Sequence, residues 1–207
     1  RTGPRVLHIS LFSGARVSVH VLASLKQWID VVHSQCAETD PFANLVGHQN
    51  FPKAGNWGDV TKVGKAEVEE LLQGDLQYDV VFMDGGFPCK DTTRLRGKNG
   101  QGLKGKHSGL YTHLMRLFLL VAASTTKQVI YAWENVVSTE TTLSELNHEF
   151  RTIAIEMDAA DYAECSRKRW WWCNRELGTA EGEHWNKTPS LHTLHSIPAV
   201  PKGILRD

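Results

Sequence analysis

A cysteine preceded by two glycines and a proline follows one of the most apolar stretches of the chain. Residues 78–83 read YDVVFM and predict a buried strand, which leads into Asp84-Gly85-Gly86-Phe87-Pro88-Cys89. The glycines allow the backbone to approach a ligand closely, and the proline restricts the chain before the thiol. Cations favour the nucleophilic thiolate form of cysteine, and those that follow Cys89 are Lys90, Arg94 and Arg96. Cys89 is therefore a candidate nucleophile, with a buried and unreactive cysteine as the alternative.

An acidic residue and two arginines are further candidates. The apolar residues 129–133 run into Glu134, and a carboxyl group beside a buried strand costs free energy unless it has a partner. Glu134 is thus a candidate acid or hydrogen-bond donor, with a helix-capping acid as the alternative. Residues 165–172 read CSRKRWWW, and in a strand Arg167 and Arg169 would share one face. We expect the tryptophans to pack in the core rather than to stack on bases.

Residues 85–109 form a long loop rich in glycine and lysine. Loops of this length within a domain are usually functional or disordered. Between positions 90 and 106 the sequence has six basic residues and one acid, Asp91. The six are Lys90, Arg94, Arg96, Lys98, Lys104 and Lys106. Phosphate binding is a suitable function for such a loop, and a solvated lysine-rich loop is the alternative.

Apolar runs alternate with segments of helical periodicity, and these elements must position the candidate residues. The expected strands are residues 5–12, 31–33, 78–83, 129–133, 153–157 and 169–173, and the expected helices are residues 17–29, 41–48, 65–72, 110–123 and 144–150. This alternation predicts a parallel sheet with helices on both faces and a final strand pair. Ligands bind at the carboxyl ends of strands in such sheets, so we expect a ligand site just after Phe12, Val32, Met83 and Trp133.

Composition excludes several classes of protein. The chain has 207 residues, of which 41% are hydrophobic and 22% charged, as in ordinary globular domains. Its 23 basic and 23 acidic residues balance, so bulk charge does not indicate nucleic acid. The apolar run 117–123 is far shorter than the roughly 20 residues of a membrane span. Four cysteines without Cys-x-x-Cys spacing disfavour a zinc site and a disulfide framework, and favour a reducing compartment.

Five motifs taken together resemble the cytosine-5 methyltransferases. In chain order they are Leu-Phe-Ser-Gly (11–14), Gly-Asp-Val (58–60), Gly-Gly-Phe-Pro-Cys (85–89), Glu-Asn-Val (134–136) and Arg-Lys-Arg (167–169). The resemblance is strongest to the de novo DNA methyltransferases and covers about residues 5–177. It implies an α/β, Rossmann-like fold for S-adenosylmethionine-dependent methyl transfer, with a mostly parallel, doubly wound sheet and a final antiparallel strand pair. The catalytic domain is then residues 1–177, followed by an irregular tail, 178–207.

The resemblance also implies a reaction and its residues. The Cys89 thiolate would add to carbon 6 of a cytosine flipped out of DNA, and carbon 5 would then take a methyl group from S-adenosylmethionine. Glu134 would donate to N3, Arg169 would bind the O2 side, and Arg167 would lie near Cys89 and a phosphate. The six loop cations would contact DNA. The implied cofactor-binding residues are Phe12, Ser13, Gly14, Gln35, Asp59, Val60 and Gly86, with Asp59 at the adenine.

Several departures from the family pattern bear on this interpretation. Gly14 is followed by Ala15 and Arg16 instead of further glycines. The acid expected to hold the ribose hydroxyls at the end of the second strand appears as Gln35, with Glu38 as the alternative. The sequence also lacks a recognisable target-recognition region and final helix. We therefore expect a fragment, half of a split enzyme or a reduced form that needs a partner chain or second copy.

Two other functions remain open at this stage. One is a transfer-RNA cytosine-5 methyltransferase of the same family. The other is a non-catalytic regulatory paralogue that binds a partner methyltransferase, and retention of Cys89, Glu134 and Arg169 argues against it.

Overall fold

Seven strands form one mixed sheet in the structure, a computed structural model that describes residues 3–90, 102–105, 107–161 and 164–175. The strands are β1 (Arg5–Leu11), β2 (Asp30–Ala37), β3 (Gly55–Asn56), β4 (Val80–Gly86), β5 (Gln128–Val136), β6 (Ile155–Asp158) and β7 (Lys168–Cys173). Their order is β3-β2-β1-β4-β5-β7-β6, and of these strands β7 alone runs in the direction opposite to the other six. The carboxyl ends of the other six strands therefore lie along one edge of the sheet.

Helices cover both faces of this sheet. In the described residues they are α1 (Val17–Ser24), α2 (Pro41–Asn50), α3 (Lys65–Gln73), α4 (Thr112–Ser124) and α5 (Glu140–Phe150). Side-chain caps set two of the starts: Asp40 accepts a hydrogen bond from the Ala43 amide at 2.8 Å, and Thr139 accepts one from the Thr142 amide at 3.2 Å. Within the described ranges no helix is long and apolar enough to cross a membrane.

Alternation along the strands divides the apolar residues into two clusters. Leu7, Ile9 and Leu11 of β1 are fully buried in the larger cluster, which also contains residues of α3, α4 and α5. Val6 of the same strand belongs to the smaller cluster, together with Leu22 of α1. Successive side chains of a strand point to opposite faces. The three helices α3, α4 and α5 therefore cover one face, and α1 lies on the other.

The doubly wound, mostly parallel sheet expected from the sequence is confirmed, and so is the final antiparallel pair. The largest difference concerns β4, which does not stop before its two glycines. Gly85 pairs with Leu11 of β1 and Trp133 of β5, and Gly86 pairs with Glu134. A β-carbon at Gly85 would lie 2.8 Å from the Leu11 carbonyl oxygen and 2.9 Å from Leu114 Cδ2. The glycine allows close packing here and does not end the strand.

Other boundaries also differ from expectation. Helix α1 ends at Ser24 and not at position 29, because the chain turns, with the Trp28 amide bonded to the Leu25 carbonyl at 2.9 Å. Strand β2 begins and ends outside the expected residues 31–33 and runs on to Ala37. Strand β3 has two residues, too few to show any periodicity in the sequence. Residues 178–207 and most of the loop 90–106 lie outside the described residues.

The packing at Gly85 leads to a stability prediction. Gly85→Ala should lower the free energy of unfolding by about 2 kcal/mol, because the new methyl group forces β4 away from β1 and α4. Urea denaturation measures this effect. Gly74→Ala is the control, since its β-carbon would find no atom nearer than 3.4 Å. Equal unfolding midpoints for the two variants would contradict the proposed packing constraint.

Candidate active site

The turn after β1 has three residues in the left-handed region. Phe12 has a φ of 56°, Gly14 of 52° and Arg16 of 63°. Residues other than glycine adopt this conformation at a cost, and such positions cluster at functional sites. The Ser13 amide donates to the Ala37 carbonyl at 3.3 Å, which ties the turn to the end of β2. Phe12, Ser13 and Gly14 therefore lie at the carboxyl edge of the sheet, as predicted from the sequence.

Glu38 directly follows β2 and connects it to this turn. One carboxylate oxygen accepts a hydrogen bond from the Gly14 amide at 2.8 Å, and the other accepts from the amides of Thr39 and Asp40, both at 2.8 Å. Amide donors fill about three of the four lone-pair positions of a carboxylate, which leaves about one for a ligand. Glu38 is thus the acidic residue at the end of β2.

Gln35 is not at the end of β2, which corrects its expected position. It lies inside the strand, is 8% exposed, and its side-chain oxygen is 3.3 Å from His33 Nε2. It also packs against Gly55 of β3, where a β-carbon would collide with the Gln35 amide group. The sequence pattern predicted a second strand that ends at residue 33, which placed Gln35 just after it. In the structure the strand runs on to Ala37, and Glu38 is the residue that follows it.

The segment after β3 is fixed by helix α4. Arg116 donates hydrogen bonds to the carbonyl oxygens of Val60 at 2.9 Å and Val63 at 2.8 Å. Asp59 accepts from the Thr61 amide at 2.9 Å and the Thr61 hydroxyl at 2.8 Å, and these bonds hold the pKa of Asp59 below its ordinary value. Asp59 is therefore ionised at neutral pH and can only accept hydrogen bonds. Sequence reasoning missed Arg116 because its target carbonyls lie more than fifty residues away.

The backbone on the amino side of Cys89 is held at two consecutive carbonyl groups. The Asn135 side-chain amide donates to the Phe87 carbonyl at 3.1 Å, and the Ser108 hydroxyl donates to the Pro88 carbonyl at 3.3 Å. Phe87 is 3% exposed and packs against the ring of Tyr111. The Cys89 side chain is half-buried. The thiol is therefore carried just beyond the end of β4 on a fixed segment.

Glu134 and Arg169 form an ion pair across β5 and β7. Arg169 Nε lies 2.5 Å from Glu134 Oε1, with 25% of the glutamate and 18% of the arginine side chain exposed. Glu134 lies within β5, and not after it as expected, next to Gly86 of β4. A β-carbon at Gly86 would be 2.9 Å from Glu134 Oε2. The glycine leaves the space that the carboxylate occupies.

Arg167 precedes β7 in a turn organised by Asp158. The Asp158 carboxylate accepts hydrogen bonds from the Ala160 amide at 3.1 Å, the Ser166 hydroxyl at 2.8 Å and the Arg167 amide at 2.7 Å. These bonds, the Ala160 amide first, hold the pKa of Asp158 below its ordinary value. The Arg167 side chain is exposed.

The other predicted cations divide into two groups. Lys90 and Lys104 are described and exposed. Arg94, Arg96, Lys98 and Lys106 lie outside the described residues.

A cavity of about 750 Å³ lies on the α1 face of the sheet and joins several of these groups. Six of the predicted site residues line it: Phe12, Ser13, Gly86, Glu134, Arg167 and Arg169. Its remaining wall is mainly apolar and includes Val21 of α1 and Phe82 of β4. The volume is in the range of small-molecule sites. Cys89, Gly14, Gln35, Asp59 and Val60 are not part of its lining.

Comparison with known proteins identifies the fold. No protein-family model matches the chain, and no curated protein matches its sequence. Two solved methyltransferase structures are similar to it at 15% identity: Dnmt2 of S. pombe, with a TM-score of 0.52 over 83% of this chain and 49% of that one, and EhMeth of Entamoeba histolytica, with a TM-score of 0.57 over 84% and 53%. The chain has a Rossmann-like methyltransferase fold. It spans about half the length of these two proteins.

Asp158 leads to a prediction about pH. Because its pKa is lowered in the folded chain, Asp158 contributes stability that is present above the unfolded pKa of about 3.9 and is lost as the pH falls through the folded value. Asp158→Asn should therefore be less stable than the parental chain at neutral pH, and the difference should shrink below about pH 4. Urea unfolding across a pH series measures it, with the exposed Asp75→Asn as control. A difference that stays constant with pH would contradict this role.

Proposed function

We propose that the chain is the catalytic part of a cytosine-5 methyltransferase that acts on DNA with S-adenosylmethionine as cofactor. The observation that carries the proposal is the Glu134–Arg169 ion pair in the lining of the cavity, with Nε and Oε1 2.5 Å apart. Glu134 is in register with Gly86, three residues before the half-buried Cys89. An acid, a guanidinium and a thiol at one sheet edge are the groups that activation of a pyrimidine requires. We further propose the de novo type, on the motifs quoted above.

The carboxyl ends of β1, β2 and β3 suit S-adenosylmethionine, which supplies an electrophilic methyl group when bound. The left-handed turn after β1 contributes Phe12 and Ser13 to the lining of the cavity. Glu38 has accepting capacity for a ribose hydroxyl, and ionised Asp59 can accept from the adenine amino group. We propose that Val60, held by Arg116, forms an apolar wall beside the adenine. Gln35 is replaced by Glu38 in this proposal.

The thiolate of Cys89 adds to carbon 6 of the flipped cytosine, forming a sulfur–carbon bond as the ring's 5,6 double bond opens. Negative charge moves towards N3 and O2, where Glu134 donates a proton to N3 and Arg169 holds O2. Carbon 5 would then take the methyl group as the bond between that group and the cofactor's sulfonium sulfur breaks, which would leave a neutral thioether. A water molecule then removes the carbon 5 proton. Departure of the Cys89 thiolate restores the double bond, and the proton on N3 leaves with it. This is nucleophilic catalysis in which Glu134 and Arg169 stabilise the charge that develops on the ring.

DNA binding is proposed from the basic residues around the site. Arg167, Lys90 and Lys104 are exposed, which suits contacts with phosphates. Phosphate contacts position a protein without reading sequence, so target recognition is proposed to come from a partner chain or a second copy. Binding by the chain alone should then be weak and strongly dependent on salt.

Trapping with a substrate analogue tests the function. DNA containing 5-fluorocytosine should form an SDS-stable complex with the chain when S-adenosylmethionine is present, because fluorine cannot leave carbon 5 as a proton does. Cys89→Ala should form no complex, and Cys165→Ser, which changes an exposed cysteine, should form as much as the parental chain. Denaturing gel electrophoresis measures the amount of this protein–DNA complex. An adduct with Cys89→Ala would remove Cys89 from its role, and trapping on RNA in place of DNA would favour the transfer-RNA alternative.

Two matched variants test which residue, Glu38 or Gln35, binds the ribose hydroxyls of the cofactor. Glu38→Gln should weaken binding of S-adenosylmethionine about tenfold, because an amide accepts hydrogen bonds less strongly than a carboxylate. Gln35→Glu should not tighten it, because that side chain is buried inside β2. Isothermal titration calorimetry measures both, with thermal unfolding as a control for folding. Tighter binding by Gln35→Glu would return the role to position 35.

A further inference from the structure

A fully buried histidine connects β2, β1 and β4 on the cavity face of the sheet. His8 is 0% exposed, and its Nδ1 atom is 3.1 Å from the Ser34 hydroxyl. Its Nε2 atom is 2.6 Å from Asp84 Oδ1, and its ring stacks on Phe82. Both ring nitrogens therefore have a partner, and the ring is fixed between two strands. The carboxylate of Asp84 receives a fixed orientation from this arrangement.

Asp84 lies in the wall of the cavity, one residue before Gly85-Gly86. Its side chain is 22% exposed, and its neighbours in the cavity lining are Ser10 of β1, which pairs with it, and the apolar residues Phe82 and Ala132 of β4 and β5. Among the described residues, its carboxylate has one hydrogen bond, the one to His8. The cavity arginines Arg167, Arg169 and Arg175 lie on β7 or beside its ends, and β5 separates β7 from β4. The oxygen that His8 does not contact can attract a cationic ligand more strongly than a fully exposed carboxylate would, because the mainly apolar cavity screens charge poorly.

Strand order indicates which part of a bound cofactor reaches Asp84. Asp59 and Glu38, after β3 and β2, are the proposed adenine and ribose residues, and the Phe12–Gly14 turn follows β1. Because the order continues β3-β2-β1-β4, the next position along the edge is the end of β4. The part of the cofactor beyond the ribose is the methionine, which carries a positively charged amino group.

We propose that Asp84, oriented by His8, binds the α-ammonium group of the methionine part of S-adenosylmethionine, an inference that rests on the proposed function. The ammonium donates to the carboxylate oxygen that His8 does not occupy, and the apolar wall strengthens this charge-assisted bond. The methionine end is thereby anchored on β4. The transferable methyl group is then directed away from β2, towards Glu134 and Cys89.

Two thioethers that differ in the methionine part test this assignment. S-adenosylhomocysteine has the α-ammonium group, whereas 5′-methylthioadenosine keeps the adenine, ribose and sulfur but lacks the amino-acid end. Asp84→Asn should weaken binding of S-adenosylhomocysteine on the order of tenfold to a hundredfold, and should change binding of 5′-methylthioadenosine by less than about twofold. Titration calorimetry on the full chain measures both.

The control is Asp79→Asn, which removes a carboxylate just before the opposite end of β4, where it bonds Arg5 outside the cavity. This variant should bind both thioethers as the parental chain does. If Asp84→Asn weakens both ligands equally, or neither, the assignment of the ammonium to Asp84 is wrong while the proposed function stands. If the parental chain binds neither thioether, the proposed function fails and this inference fails with it.

Discussion

The close packing of β4 between β1 and β5 is the constraint on which the candidate site depends. At Gly85 no side chain fits, because the Leu11 carbonyl and Leu114 fill the space on that face. One residue later, on the other face, the space left by Gly86 is occupied by the Glu134 carboxylate. The two glycines thus allow the strand to continue to the sheet edge with polar groups packed around it. Cys89 can follow on a backbone that starts from a fixed point.

The reversed strand β7 brings an arginine to the edge of the sheet where β4 and β5 end. Inserted between β5 and β6, it runs antiparallel and brings its first residues to the edge where its neighbours end. Arg169 therefore meets Glu134 although it lies near the start of its strand. A parallel strand in this place would carry its starting residues to the opposite edge. The acid and the guanidinium consequently depend on topology and not on closeness in sequence.

Sequence patterns predicted the fold class well because alternation of apolar runs with helical segments is a strong signal over long stretches. They failed where a residue's behaviour depends on distant neighbours. Gly85 and Gly86 indicate a break in isolation, and only the Leu11 and Glu134 contacts explain why the strand continues. The end of β2 was misplaced for a similar reason, since His33, Ser34 and Gln35 are polar residues that partners in the sheet make tolerable.

The candidate site was predictable in part. Phe12, Glu134 and Arg169 line one cavity, and their residue types at strand ends were the signal. Asp84 and His8 were not found, because an acid before two glycines is typical of a turn and a histidine within an apolar strand is typical of a core. Their meaning appears only when parallel pairing places β1 beside β4.

The two halves of the candidate site differ in how firmly their groups are held, and the proposed function gives them different tasks. At β1 and β2 the groups that face a ligand are largely fixed already, since Glu38 is held by three backbone amides and the turn is tied to Ala37. Such a surface suits the adenosine part of the proposed cofactor, which binds and dissociates without chemical change. At β4, β5 and β7 the groups are side chains with ionisable ends, of which Glu134 and Arg169 bond each other. In the proposed reaction Glu134 donates a proton. Its contact with Arg169 must weaken first, because a carboxylate paired with a guanidinium loses part of that interaction when it takes up a proton. Under the proposed function, the groups at β1 and β2 bind the cofactor without moving. The Glu134–Arg169 pair, in contrast, must rearrange when the proton moves. Gly86 lies beside the ion pair, where the absence of a side chain leaves the space that the Glu134 carboxylate occupies.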